Sequence, residues 1–208
     1  MGTYATLLTD IPAFLENDSA ELANNLPTII TNAQDMMLRD LMVAELFGTA
    51  SGTLTQSSIS VPRPNDILTL RGFTITTASG LNSLNYRDRT YMEQFWPQQS
   101  QTAVPIYYGV LNENTFMTAP TPNSSYFYTI QYKKRLAYLS STNSSNYLSA
   151  SCYDTLLAAC LSDGARFVMD DRQAGLIAVY TARYKEGVAA INGQQRRLLV
   201  DDTNNAGG

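Results

Sequence analysis

Histidine is absent from the 208 residues. That excludes a Ser-His-Asp triad, a histidine-based zinc site and an imidazole proton shuttle. Charge is scarce as well: Asp, Glu, Lys and Arg make up 15% of the chain, against roughly a quarter in ordinary globular domains. Ser, Thr, Asn and Gln supply the polarity instead. Such a surface suits lasting contact with neighbours, because an amide or hydroxyl costs less to strip of water than an ion does. No apolar run approaches the ~18 residues of a membrane span, and no basic-then-apolar leader opens the chain, so neither a span nor a secretion signal is expected.

Cysteine occurs twice. Cys152 and Cys160 fall in one helical pattern, roughly 12 Å apart along its axis, too far to bridge. Both read as packing thiols, which suits a reducing compartment. The net charge of −4 and a pI near 4.8 argue against a nucleic-acid binder held by counterion release. Asn17, Asn123 and Asn143 stand in glycosylation-like triplets and read as turn-rich loops. The acid pairs Asp170-Asp171 and Asp201-Asp202 read as caps and helix-dipole partners, not as a glycosidase pair. No catalytic residue, metal or cofactor is expected.

What is present is periodicity. Between Tyr147 and Met169, Tyr153, Leu156, Leu157, Cys160, Leu161, Phe167 and Val168 recur three and four apart, predicting a helix with one apolar face. Ala174, Ile177, Tyr180, Tyr184, Val188 and Ile191 repeat the spacing, and Asp170-Asp171-Arg172 between them predicts an antiparallel helical hairpin. Near the N-terminus, Thr3 to Leu15 allows one or two helical turns before Pro12 breaks them. Asp18 and Glu21 have capping-box spacing; Pro27 then interrupts, and a helix is expected from about Pro27 to Glu45.

From Gly48 the period changes to short runs rich in Thr, Ser, Ile and Leu, punctuated by proline and glycine, which predict strands. Tyr91 to Trp96 reads as a single helical turn whose rings cover one end of a sheet. Asn112-Glu113-Asn114 predicts a hairpin turn, and Pro120 to Asn123 a rigid one. Tyr126, Tyr128, Ile130 and Tyr132 share one face of a strand, with Phe127, Thr129 and Gln131 on the other. Tyr126, Tyr128 and Tyr132 are expected to form either the inner face of a sandwich or a platform for sugars or bases, which with the pair Tyr107 and Tyr108 would make a carbohydrate- or receptor-binding face. Lys133-Lys134-Arg135 reads as a solvated strand end.

The economical architecture is α+β. A discontinuous helical bundle, residues 1–48 and 146–195, carries an inserted antiparallel β-domain at 49–139, with a linker at 140–145 and a flexible tail at 196–208.

Several segments coincide with a known pattern in the same order. They are Ile11-Pro12-Ala13-Phe14, Leu26-Pro27-Thr28-Ile29-Ile30 running to Arg39-Asp40-Leu41, Val61 to Asp66, Pro105 to Tyr108, Ala119 to Pro122, Tyr132, Leu156 to Cys160 and Phe167-Val168. Over about Ile11 to Arg197 the chain resembles the head-to-tail adaptors of tailed bacteriophages, of the podophage type. The resemblance implies a structural protein of the virion neck, assembled in the host cytoplasm. Such adaptors form a homo-oligomeric ring, commonly of twelve subunits, beneath the portal protein. The ring extends the DNA channel, meets genomic DNA in passage and attaches tail, nozzle or fibre proteins. Within that frame, Arg196, Arg197, Leu198, Leu199 and Val200 are expected to contact the portal.

Overall fold

Thr3 and Thr6 cap each other at the start of α1 (Tyr4–Leu15): Thr3 Oγ1 accepts from the Thr6 N–H at 3.2 Å, and Thr6 Oγ1 accepts from the Thr3 N–H at 2.8 Å. The computed structural model describes residues 2–168 and 173–205, without the side chains of 173–174 and 198–205. Its contacts divide the chain into two units, Met1–Leu46 with Leu136–Gly208, and Phe47–Arg135.

The first unit is helical. Helix α1 runs three turns with Pro12 inside its last turn, longer than the sequence predicts, and ends at Glu16 in a left-handed conformation (φ 48°). Its buried residues Leu7, Ile11 and Leu15 recur every fourth position. The second helix, α2 (Ala20–Asp40), is capped by Ser19 and not by Asp18, and passes through Pro27 without a break. An internal proline forfeits one hydrogen bond and costs about 3 kcal/mol. Against that stands an unbroken buried stripe, Leu22, Leu26, Ile29, Ile30, Ala33 and Met37, and a fully buried large side chain is worth about 1.5–3 kcal/mol. The stripe therefore outweighs the proline.

A 3-10 turn, Ala44–Leu46, leaves this unit. After the second unit the chain returns through α4 (Tyr147–Ser151), α5 (Tyr153–Val168) and α6 (Gln173–Asn205). The long helix expected from Tyr147 is thus two helices, broken at Cys152 (φ −128°, ψ 30°). Cys152 and Cys160 are both buried and free. Of the stripe predicted for α5, Leu156, Cys160 and Leu161 are buried, Tyr153, Leu157 and Val168 are half-buried and Phe167 is exposed. Ser162 meets Thr181 at 2.8 Å while Thr155 lies against Gly187, so α5 and α6 run antiparallel. Asp170, Asp171 and Arg172, the expected hairpin turn, lie outside the described residues. Gly164 lets α1 lie close to α5: a Cβ there would stand 2.9 Å from Leu15 Cδ1.

Residues 140–145 are held to the helical unit by hydrogen bonds. Buried Gln34 accepts on Oε1 from the Leu139 N–H and from Asn146 Nδ2, each at 3.0 Å, and donates to the Ile30 carbonyl at 3.2 Å. Asn143 Nδ2 donates to the Ala137 and Tyr138 carbonyls, and the Tyr4 N–H donates to the Ser144 carbonyl.

The second unit is a β-sandwich. One sheet has the order β1-β10-β3-β4, from β1 (Phe47–Leu54), β10 (Tyr126–Lys134), β3 (Ile67–Thr77) and β4 (Gly80–Ser83), with every pair antiparallel. The other has the order β2-β8-β7-β5, from β2 (Ser60–Pro62), β8 (Thr115–Ala119), β7 (Tyr107–Asn112) and β5 (Asn85–Tyr86). Two pairings of two residues each are parallel: β5 with β7, and β6 (Thr102–Ala103) with β9 (Thr121–Pro122). The hairpin predicted at Asn112 to Asn114 joins β7 and β8.

Phe73 stands at the centre of the core, 5.3 Å from the Tyr108 ring, 6.3 Å from Phe116 and 5.9 Å from Tyr128. Leu54, Val61, Ile75, Leu84 and Ile130 surround it. Lys133 is buried and Lys134 half-buried, both still paired within β10, so the basic end of that strand is not the solvated terminus its charge suggests.

Candidate functional site

The portal-contact candidates lie on α6. That helix continues through residues 196–205, where the sequence reading places a flexible tail. Gln194 to Leu199 contains neither glycine nor proline and is made of good helix formers, which favours the extension. Arg196 and Arg197 are exposed; the side chains of Leu198, Leu199 and Val200 lie outside the described residues. One turn earlier, Asn192 anchors the helix. Its Nδ2 donates to the Asp40 carbonyl at 3.0 Å and its Oδ1 accepts from the Met42 N–H at 2.7 Å, holding the chain where it leaves α2. Residues 193–205 therefore project from a fixed point, spanning about 20 Å at 1.5 Å per residue. Nothing in the sequence near Asn192 signals a partner 150 positions away.

The tyrosine face is split by the structure. Tyr126, Tyr128 and Tyr132 are at most 9% exposed and belong to the core. The reason is a pair of glycines on the neighbouring strand: Gly52 stands opposite Tyr128 and Gly48 opposite Tyr132. A Cβ at Gly52 would come within 2.7 Å of the Tyr128 hydroxyl, and one at Gly48 within 3.1 Å of Tyr132 Cζ. The rings lie over the glycines, and burial pushes the Tyr128 and Tyr132 hydroxyls upward from the usual value of 10.0. Only the edges stay polar, with the Tyr132 hydroxyl donating to Asp66 at 2.9 Å and the Tyr126 hydroxyl to Asn123 at 2.6 Å. These three do not form a surface platform.

Tyr107 is brought instead into an aromatic group that the sequence pattern does not assemble. Helix α3 (Arg89–Phe95), capped by Asp88, buries Met92 and leaves Tyr91 and Phe95 exposed. Their rings stack 5.9 Å apart, and Tyr107 meets both edge-on, at 5.7 and 5.2 Å. Arg87 lies over Tyr91 at 5.2 Å and over Tyr107 at 5.5 Å. Tyr91 beside it, then loss of water, push the Tyr107 hydroxyl upward, opposed by Arg87. The i,i+4 spacing of Tyr91 and Phe95 is visible in the sequence; the strand they cover is not.

In the helical unit a cleft of about 330 Å³ is lined by Asp35, Arg39, Asp163, Arg166 and Tyr184, two acids facing two bases. Among the described residues no group of three or more Cys, Asp or Glu side chains is placed to hold a metal ion. No helix among them is long and apolar enough to cross a membrane.

The surfaces described are thus a helix end with exposed Arg196 and Arg197 and an exposed aromatic patch. The model of the SU10 adaptor protein family matches residues 2–206, and the chain belongs to that family. It is a structural protein of the bacteriophage adaptor type, a component of the virion. No curated protein matches the sequence.

Proposed function

We propose that this protein is a head-to-tail adaptor of a podophage-type virion, forming a homo-oligomeric ring, of twelve subunits, beneath the portal protein in the neck. The ring extends the channel through which genomic DNA passes and carries tail, nozzle or fibre proteins on its far side. Assembly takes place in the host cytoplasm.

The observation that carries this reading is α6, anchored at Asn192 and continuing to Asn205 with Arg196 and Arg197 exposed. A preformed helix loses less conformational entropy on docking than a disordered tail, so its contacts translate into affinity more fully. Arg196 and Arg197 supply charge-assisted hydrogen bonds, and Leu198, Leu199 and Val200 the apolar area, towards the portal.

The test is co-migration of the full chain with the portal protein of the same phage in size-exclusion chromatography with light scattering. The full chain is expected to co-migrate, and a chain lacking residues 196–208 to bind at least tenfold more weakly. Failure of the full chain to bind overturns the adaptor assignment; equal binding by the truncated chain overturns the role of the helix end.

A further inference from the structure

In the sheet β1-β10-β3-β4 the outer strands, β1 and β4, have no further strand paired to them among the described residues. Edge strands commonly carry charge, proline or a cover, because their free N–H and C=O groups invite another strand. The second sheet of the sandwich obeys that rule. Its edge strand β2 has three residues, ends in Pro62 and is followed by Arg63, and its other edge, β5, has two residues. By contrast β1, Phe-Gly-Thr-Ala-Ser-Gly-Thr-Leu, has eight residues with neither charge nor proline. At the opposite edge β4, Gly-Leu-Asn-Ser, is equally uncharged and all four residues are exposed, Leu81 to 75%. Among the described residues, no backbone hydrogen bond leaves the outer side of either strand; the Gly80 carbonyl is taken by Thr77 Oγ1 at the turn.

We propose that copies of this chain join edge to edge, the β1 edge of one pairing antiparallel with the β4 edge of the next, so that the sheet continues from subunit to subunit. This rests on the ring reading above. The occupant follows from strand parity. Four strands, all antiparallel, leave β1 and β4 pointing in opposite directions. Continuing the sheet with a second copy in the same orientation therefore sets β4 beside an oppositely directed β1, which keeps the alternation. Two different edges meet, so the contact is heterologous, the kind that builds a ring when its rotation closes. Neither strand carries a charged residue of its own; the Arg71 guanidinium lies over the Phe47 ring at the start of β1, 4.2 Å from its centroid.

Side-chain alternation limits the register. Thr53, Phe127, Thr76 and Leu81 lie opposite one another across β1, β10, β3 and β4, so Leu81 shares the outer face with Thr49, Ser51 and Thr53. Phe47 has the same parity, but a continued sheet in which all four residues of β4 pair within β1 puts Leu81 opposite Thr49, Ser51 or Thr53 of the next copy. Ser51, the middle one, is then either directly opposite or one diagonal away, at most about 7–8 Å.

The experiment is cross-linking of the full chain carrying Ser51→Cys and Leu81→Cys, assembled on the portal protein of the same phage, with a bismaleimide of about that reach. Cys152 and Cys160 are buried, which keeps the native thiols out of the reaction. Both engineered positions are exposed, and circular dichroism checks the fold of each variant. The expected result is a ladder of covalent multimers that consumes most of the monomer band, while each single variant stays monomeric. An assembled ring without the ladder overturns the edge joint and leaves the ring reading standing. Covalent dimers from the Ser51→Cys variant alone show like edges pairing and also overturn it. Absence of any portal-bound ring overturns both.

Discussion

Tyr184 donates its hydroxyl to the Asp40 carboxylate at 2.5 Å, joining α6 to the end of α2. Tyr153 does the same to Asp10, also at 2.5 Å, joining α5 to α1. Burial first, and then the hydrogen bond to Asp40, push the Tyr184 hydroxyl far above its usual value; burial and Asp10 push Tyr153 up to about 12. A tyrosine whose folded pKa is raised contributes stability that is fully present below the unfolded value near 10. That contribution is lost as pH climbs through the folded one. The urea midpoint is expected to hold steady to about pH 9 and to fall between about pH 10 and 12. The pair Tyr153→Phe and Tyr184→Phe should lower stability by about 1–3 kcal/mol at neutral pH and make the alkaline fall shallower. An alkaline slope as steep as the parent's would show that these two tyrosines are not its source.

Gly187 lets α5 and α6 approach, because a Cβ there would overlap Thr155 Oγ1 and stand 3.0 Å from its Cγ2. Gly187→Ala is expected to cost about 1–3 kcal/mol by overpacking. Adding Thr155→Ala should return part of that loss, a coupling that a double-mutant cycle in urea measures directly.

Gln34 is the acceptor for two donors that follow the second unit in the chain. Gln34→Ala leaves the Leu139 N–H, on a buried residue, without its partner, and the expected loss is about 2–3 kcal/mol. Hydrogen exchange at the Leu139 amide should quicken in the variant. Unchanged exchange there would mean that the loop is held by Asn143 and Ser144 alone.

Gly52→Leu should unfold the sandwich more readily, by about 1–3 kcal/mol, since it drives a side chain into the Tyr128 ring. Gly72→Ala is the control: its Cβ would meet nothing nearer than Gln131 Oε1 at 3.8 Å, so stability should stay level or rise slightly. Thermal unfolding of the two variants side by side separates ring accommodation from a general intolerance of side chains in strands.

The helices of the first unit were readable wherever an apolar stripe repeated, as in α2 and α5, because helical spacing is a local property. Local rules misjudged Pro12 and Pro27, where packing against other helices outweighed the missing hydrogen bond. They also missed the break at Cys152, which follows from a short capped helix in front of α5. The pairing of Tyr128 with Gly52 and of Tyr132 with Gly48 depends on register between strands more than seventy residues apart, so burial of the tyrosine ladder could be weighed from sequence but not decided. Gln34 and Asn192 carried no local signal at all. Their partners lie 105 and 150 positions away, and an isolated amide looks the same whether it faces solvent or ties a fold together.

The division of the chain has a consequence for the order of synthesis. Residues Phe47–Arg135 are contiguous, whereas the helical unit takes its pieces from both ends. On a ribosome the sandwich can therefore close while α1 and α2 still wait for α5. At 5–20 residues per second, the interval from Asp40 to Tyr153 is on the order of ten seconds. Throughout it the stripe of Leu22, Leu26, Ile29 and Ile30 has α1 beside it but lacks α5, which makes this nascent stage the one most exposed to aggregation or chaperone capture.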